Sequence, residues 1–202
     1  MMILYALPNN LQSHRVRIIL AEKTVKADIV LLNPKKLPEA FLEVNPYGNV
    51  PTLVDRDLVL NHSCMCEYLD ERYPHPPLLP VYPIARAKSR MMIYRIEQDW
   101  YGYAKKIQDG KDVVASRKIL TEILMKLVPI FSDTPFFLSS EFSLIDCTVA
   151  PVLWRLKKLG IVLPESAKPL KEYAQRLFER PSFIESLSEE ESSMHDDILD
   201  EL

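Results

Sequence analysis

Val50-Pro51-Thr52-Leu53-Val54-Asp55, continued by Arg56-Asp57-Leu58-Val59-Leu60-Asn61-His62-Ser63, is the stretch that decides the fold. The proline biases Val50 towards extended backbone. Thr52-Leu53-Val54 and Leu58-Val59-Leu60 are short β-prone runs, and the three residues Asp55-Arg56-Asp57 between them predict a hairpin. Ser63 stands where a helix starts, with Met65, Tyr68 and Leu69 on one side of a segment reaching Tyr73. In this setting the Val50-Pro51 bond is expected to be cis rather than part of a plain trans turn. A cis bond would offer the Val50 backbone N–H and C=O to an extended ligand. The Ser63 hydroxyl and the helix start beside it could then receive a carboxylate, or Ser63 could serve as a simple N-cap.

Upstream of that stretch, Met2 to Ala6 is an apolar run suited to a buried strand. Val16, Ile18, Ile19 and Leu20, interspersed with Arg15, Arg17, Glu22 and Lys23, read as an amphipathic helix that Ser13 could cap. Ala27 to Leu31 is a second strand, so the segment is β-α-β with a parallel pair. Leu37 to Val44 is a short helical or irregular piece, closed by the turn residues Asn45-Pro46-Tyr47-Gly48-Asn49. The order β-α-β then β-β-α is that of a thioredoxin-like α/β domain over residues 1–73.

Five prolines between Tyr73 and Pro83 remove backbone donors and fix φ, so residues 74–84 form a semi-rigid linker. That linker either only spaces two domains or also presents a recognition surface. Helical patterning then dominates residues 85–195. A long segment from Ala85 to Ile107 and another from Val113 to Phe131, joined by Asp109-Gly110-Lys111-Asp112, predict an antiparallel hairpin. Ser143 to Leu159, Ala167 to Phe178 and Ser182 to Ser193 supply further helices. Ser143-Leu144-Ile145-Asp146 carries the pattern of a capping box, with aspartate in place of glutamate and with Phe142 and Cys147 at the positions of a hydrophobic staple. Pro151 is a candidate kink, and residues 196–202 read as an acidic tail.

A chain of 202 residues with four glycines and sixteen prolines suits long helices and stiff connections. Its net charge of −3 argues against sequence-specific or general nucleic-acid binding. The charge is uneven. Residues 86–118 hold nine Lys/Arg against four Asp/Glu, whereas 181–202 hold eight acidic residues and no Lys or Arg, a polarity suited to docking on another protein. Three cysteines, Cys64, Cys66 and Cys147, do not make a secreted disulfide framework; structural thiols outweigh metal or redox roles. The start of the chain shows no signal peptide and the apolar runs fall short of a membrane span, so a cytoplasmic protein with no membrane partner is expected.

No nucleophile, metal set or phosphate loop is visible in the sequence. His14, His62, His75 and His195 each lack obvious company, and Asp70-Glu71 and Glu189-Glu190-Glu191 read as solvated helix faces. Neither a metal nor a cofactor is expected. Tyr5 reads as a strand side chain in preference to an acid partner for a thiol.

Arg15 to Lys23, Asn45-Pro46, Val50-Pro51-Thr52-Leu53, Glu67-Tyr68-Leu69 and Phe142 to Asp146 resemble the glutathione S-transferase superfamily. Within it, the run from Tyr68 through Pro74-His75-Pro76 to Pro83, with Arg95 to Tyr101, Phe136 to Ser139 and Ala150 to Leu156, is similar to the stringent starvation protein A family. The resemblance implies a thioredoxin-like domain followed by an all-α domain. It also implies a homodimer that associates with RNA polymerase holoenzyme, including its sigma subunit, and regulates transcription under starvation or acid stress without catalysis. The implied contact surface is Pro74, His75 and Pro76 with Tyr82, and the basic residues Arg86, Lys88 and Arg90 would add steering. By the same resemblance the reactive serine or cysteine of the transferases falls at Asn10, and the ligand-holding pair falls at His62-Ser63. With Val50 and Pro51 these make a vestigial glutathione site. Asn10 has no titratable proton and cannot act as a thiolate does. Two other readings stand beside this one. One is a glutathione-dependent transferase or peroxidase using Ser13 or a backbone amide; the other is a structural dimer with another protein partner.

Overall fold

The computed structural model describes residues 1–194; His195 and the predicted acidic tail 196–202 lie outside the described residues. In chain order the elements are β1 (Met2–Ala6), α1 (Leu11–Glu22), β2 (Asp28–Leu31), α2 (Glu39–Val44), β3 (Thr52–Asp55), β4 (Leu58–Asn61) and α3 (Cys64–Arg72). They are followed by α4 (Pro83–Ile96), a π-helical turn (Glu97–Tyr101), α5 (Gly102–Gln108), α6 (Val113–Leu127), α7 (Ile130–Asp133) and α8 (Leu144–Trp154). A 3-10 turn (Glu165–Ala167), α9 (Lys168–Phe178), α10 (Pro181–Ser186) and α11 (Glu189–Ser192) complete the order. The chain forms two compact units, one of Met1–Pro76 together with the chain from Pro181 onward, the other of Pro77–Arg180.

The first unit is built on a mixed sheet of order β2-β1-β3-β4. β1 runs parallel to β2, with Leu4 opposite Ile29, and antiparallel to β3, with Leu4 opposite Leu53. Leu4, Ala6 and Leu53 alternate into the core, as the two-residue period of a strand requires. The hairpin is tighter than the sequence suggests: Asp55 pairs with Leu58, so only Arg56 and Asp57 form the turn, and Arg56 takes a left-handed φ of 59°. Helix α1 also differs from expectation. Ser13 does not cap it; Asn10 does, its side-chain oxygen accepting the Ser13 N–H at 2.9 Å. Its intervening polar residues are not a solvated face either, because Arg15, Arg17 and Lys23 are buried together with Val16, Ile18 and Ile19. The reason is cover from both sides, since α1 packs against α3 and against α10.

That second contact changes the expected domain boundary. The sequence extends the helical domain to residue 195, yet α10 and α11 close onto α1. Their polar groups do the joining. His14 Nε2 lies 3.1 Å from the Ser186 hydroxyl, and Arg17 donates to the Ser186 carbonyl at 2.8 Å and to the Glu191 carboxylate. Ser188 caps α11, donates to the Pro8 carbonyl, and is answered by Glu191, which accepts the Ser188 N–H at 3.0 Å. Glu191 is thus a buried ion-pair partner rather than part of a solvated acidic face.

The second unit is helical. The long segment predicted from Ala85 to Ile107 is α4 and α5 joined through the π turn, which brings the neighbouring residues Trp100 and Tyr101 both into the core. Tyr101 donates to the Thr148 carbonyl of α8 at 2.8 Å. Helix α6 pairs with α5 as the hairpin predicted, but ends at Leu127; Pro129 begins the separate short turn α7. Every residue of α8 is buried, so it is the spine of this unit.

The capping box at the head of α8 is formed, and Asp146 does more than the sequence suggests. Its carboxylate accepts the Ser143 N–H at 2.8 Å, the Ser143 hydroxyl at 2.9 Å, the Phe137 N–H at 2.9 Å and the Tyr173 hydroxyl at 2.7 Å. Burial pushes the Asp146 carboxyl above its ordinary range, against the pull of those donors, and pushes the Tyr173 phenol well above its own. The ring of Phe142 meets Phe136 edge-on and carries the Arg180 guanidinium 4.0 Å from its centroid. Replacing Asp146 by Ala leaves the Tyr173 hydroxyl and the Phe137 N–H buried without an acceptor. Asp146→Ala is expected to lower unfolding free energy by about 2 kcal/mol or more, a fall in Tm of about 4–8 °C by scanning calorimetry. An unchanged Tm would show that these donors find other partners.

Candidate functional site

The loop before β3 is organised by Asn45, a residue that the sequence marks only as a turn former. Buried at the end of α2, it donates to the Asn49 carbonyl at 3.1 Å and to the Thr52 hydroxyl at 2.8 Å, while its own oxygen accepts the Tyr47 N–H at 3.2 Å. Thr52 in turn donates to the Asn49 carbonyl at 2.5 Å. Gly48, with a φ of +64°, supplies the left-handed turn between them. The Val50-Pro51 bond in this loop is cis, as expected, with Pro51 buried and Val50 half-buried.

Around the loop, the remaining residues of the expected vestigial site differ in their surroundings. Asn10 is committed to capping α1 through its side chain. Ser13, the hydroxyl on which the transferase reading leaned, is fully buried and accepts the Leu7 N–H at 3.1 Å. Tyr5 lies in the strand with its ring 5.0 Å from that of Phe41. His62 is exposed, with a left-handed φ of 59°, and Ser63 makes no side-chain capping bond at the head of α3. Next to it, Cys64 is exposed and donates to the Asn61 carbonyl at 2.7 Å, whereas Cys66 and Cys147 are buried thiols.

The other candidate surface begins at Pro74, His75 and Pro76, all exposed, with a second cis bond between His75 and Pro76. Its support was not legible in the sequence. The side chain of Lys23, at the C-terminal end of α1, is completely buried; it donates to Asp70 of α3 at 2.6 Å and to the Pro76 carbonyl. Asp70 is therefore no solvated acid. One ammonium ties α1, α3 and the proline turn together, and its charge suits the negative end of the α1 dipole. The signal was present in principle as a cation just past a helix end, but nothing in a single sequence pairs residue 23 with residues 70 and 76.

In the second unit, Tyr82 is 79% exposed at the N-cap of α4, and Pro83 occupies its first turn. The three basic residues do not share a face. Arg86 and Arg90, four apart, lie on one side of α4, while Lys88 points to the other and lines a cavity.

Comparison with known proteins agrees with this architecture. The glutathione S-transferase N-terminal domain family matches residues 4–77 and the C-terminal domain family residues 91–181. The stringent starvation protein A homolog of Pasteurella multocida is 48% identical over 190 residues, covering 92% of this chain and 90% of its own length. The chain belongs to the stringent starvation protein A family. The homolog from Coxiella burnetii is likewise 48% identical, over 96% of this chain and 95% of its own. The crystal structure of glutathione transferase Omega 3C from Trametes versicolor, 24% identical, superposes with a TM-score of 0.82 over 93% of this chain and 89% of its own, which shows the shared fold.

Substitutions at Lys23, Asp70 and Asn10 test these roles. Lys23→Met leaves Asp70 buried without its cation and is expected to cost about 3–5 kcal/mol in urea unfolding. The paired change Lys23→Met with Asp70→Leu should recover most of that loss, and purely additive costs would show that the two residues are not coupled. Asn10→Ala is expected to cost about 1 kcal/mol through loss of the α1 cap. A cost near zero by the same measurement would deny Asn10 that role.

Proposed function

We propose that the protein is a non-catalytic regulator of transcription that associates with RNA polymerase holoenzyme, including its sigma subunit, in the starvation or acid-stress response. Membership of the stringent starvation protein A family supports this reading. The observation that carries it is the Pro74-His75-Pro76 turn, exposed to solvent and held from beneath by the buried Lys23. A turn whose backbone is already fixed loses little entropy on docking, so contact energy is kept for the partner. Tyr82 adds a large exposed aromatic of the kind that anchors interfaces, and Arg86 and Arg90, with Lys88, add positive charge for steering. Catalysis has no support from Asn10 or Ser13, whose polar atoms serve the fold.

The protein acts in the cytoplasm as a homodimer. Among the described residues no helix is long and apolar enough to cross a membrane. Ile84 and Tyr94 on α4 are 75% and 61% exposed, and Leu58 and Val59 are exposed on the edge strand β4, which gives each unit apolar surface to cover. Light scattering at micromolar concentration is expected to return twice the chain mass; a monomer mass would reject the dimer.

His75→Ala is expected to change stability by less than about 0.5 kcal/mol, because the side chain is exposed outside helix and sheet. The same change should weaken polymerase recovery in a pull-down, by roughly 5- to 150-fold if His75 is a central contact. Pro74→Ala, His75→Ala and Pro76→Ala combined should weaken it further while the dimer persists. Full recovery of polymerase by a folded triple variant would move the contact elsewhere.

A further inference from the structure

The four-stranded sheet of the first unit has two edges. β4 carries Leu58 and Val59, the apolar surface assigned to the dimer; β2 is the opposite edge, and all four of its residues are exposed. Ile29, Val30 and Leu31 leave an unbroken aliphatic run in solvent, and edges of that kind pair readily with another extended chain. The backbone is open as well. Leu31 lies opposite Ala6, and the next residue, Leu32, donates its N–H to the Ala6 carbonyl at 2.8 Å. The even-numbered residues of β2 therefore turn their peptide groups to β1, while the N–H and C=O of Ile29 and Leu31 face outward. Neither residue has a hydrogen-bond partner for these groups among the described residues.

Beside that edge a groove of about 470 Å³ runs between β2, α1 and α10, wholly within the first unit. Leu20 and Ala21 line it from α1, Val25, Lys26 and Ile29 from the strand and its approach, and Glu185 from α10. Ile29 lies opposite Leu4 in the register, hence on the α1 face of the sheet, so an added strand sends alternate side chains into the groove. The charge along the edge is one-sided. Lys26 precedes the strand and Lys35 and Lys36 follow it, against Asp28 on the strand and Glu185 across the groove. All three lysines are exposed, and none meets a carboxylate among the described residues. Antiparallel pairing of β2 with a second copy of itself brings the Lys26 end of one strand against the end of the other that bears Lys35 and Lys36. Like charges thus oppose a self-paired edge and favour an acidic chain in its place.

We propose that β2 docks an extended segment of a partner protein, one that alternates aliphatic and acidic residues and adds to the sheet as a further strand. Its backbone pairs with Ile29 and Leu31, its aliphatic side chains enter the groove beside Ile29, and its acids meet Lys26 at one end and Lys35 and Lys36 at the other. This surface shares no residue with the proline turn or with α4. It goes beyond the polymerase contact, so its test contains no polymerase.

A capped synthetic peptide of alternating isoleucine and glutamate is titrated into the ¹⁵N-labelled full chain. Amide hydrogen exchange at Ile29 and Leu31 is expected to slow by about tenfold or more, while Val30, whose N–H already faces β1, stays unchanged. Lys26→Glu with Lys35→Glu and Lys36→Glu reverses three unpaired surface charges and should weaken the peptide about tenfold or more at unchanged Tm. Leu31→Pro removes one outward N–H at an edge position that tolerates proline and should weaken it as well, with Tm confirming the fold. The proposal is overturned if neither amide gains protection up to the solubility limit of the peptide, or if the charge-reversed variant binds it as tightly as the parent. It also fails if a peptide with lysine in place of glutamate binds equally well, since the flanking cations then select nothing. Protection of both amides without peptide would overturn it too, because the edge is then occupied by another copy of the chain.

Discussion

The buried carboxylate of Asp146 is the constraint around which the helical unit is arranged. One side chain accepts from the head of its own helix, from the Phe137 backbone and from Tyr173 on α9. Those three attachments fix where α8 begins, where the 136–139 turn sits and how α9 lies against Phe131, whose ring stacks on Tyr173 at 4.1 Å. A carboxylate at this depth is tolerated only because four donors converge on it. The same four donors oblige the surrounding elements to keep their places, and the cavity beside α4 inherits its shape from that arrangement.

The thioredoxin-like unit uses buried charge in a different way. Lys23 with Asp70, and Arg17 with Glu191, are pairs in which each partner sits on a different element. Neither pair adds much net stability over apolar residues of similar shape, but each makes wrong packing expensive. Lys23 extends that logic to the surface, since a second N–H of its ammonium holds the backbone of the proline turn. The exposed turn is thereby specified by residues that no partner touches.

The fold was legible where local chemistry decides it. The hairpin, the cis proline and the α8 capping box all rest on residues within a few positions of one another, and periodicity located the long helices. What escaped the sequence was long-range pairing of charge. Arg17, Lys23, Asp70 and Glu191 look in a linear pattern like solvated faces, because burial of a charge depends on a distant partner that the pattern does not name. His14 was opaque for the same reason: Ser186 and Phe183, which enclose it, come from the far end of the chain. The pattern of Ser188 followed by Glu191 was readable as a capping box, but the run of three glutamates hid it. At the candidate site, the exposed prolines could be read directly, whereas Lys23 beneath them could not.

The return of α10 and α11 onto α1 makes the first unit discontinuous, and this sets an order of events during synthesis. A ribosome delivers β1 through α3 early, yet Arg17 and His14 have to wait for residues 186 and 191 before their burial is complete. For most of translation the nascent unit therefore carries an open polar groove along α1, and the whole helical unit emerges before that groove can be filled. Assembly of the surface that bears the proline turn is thus tied to completion of the chain: a truncated product that lacks the last helices presents the turn on an unfinished unit.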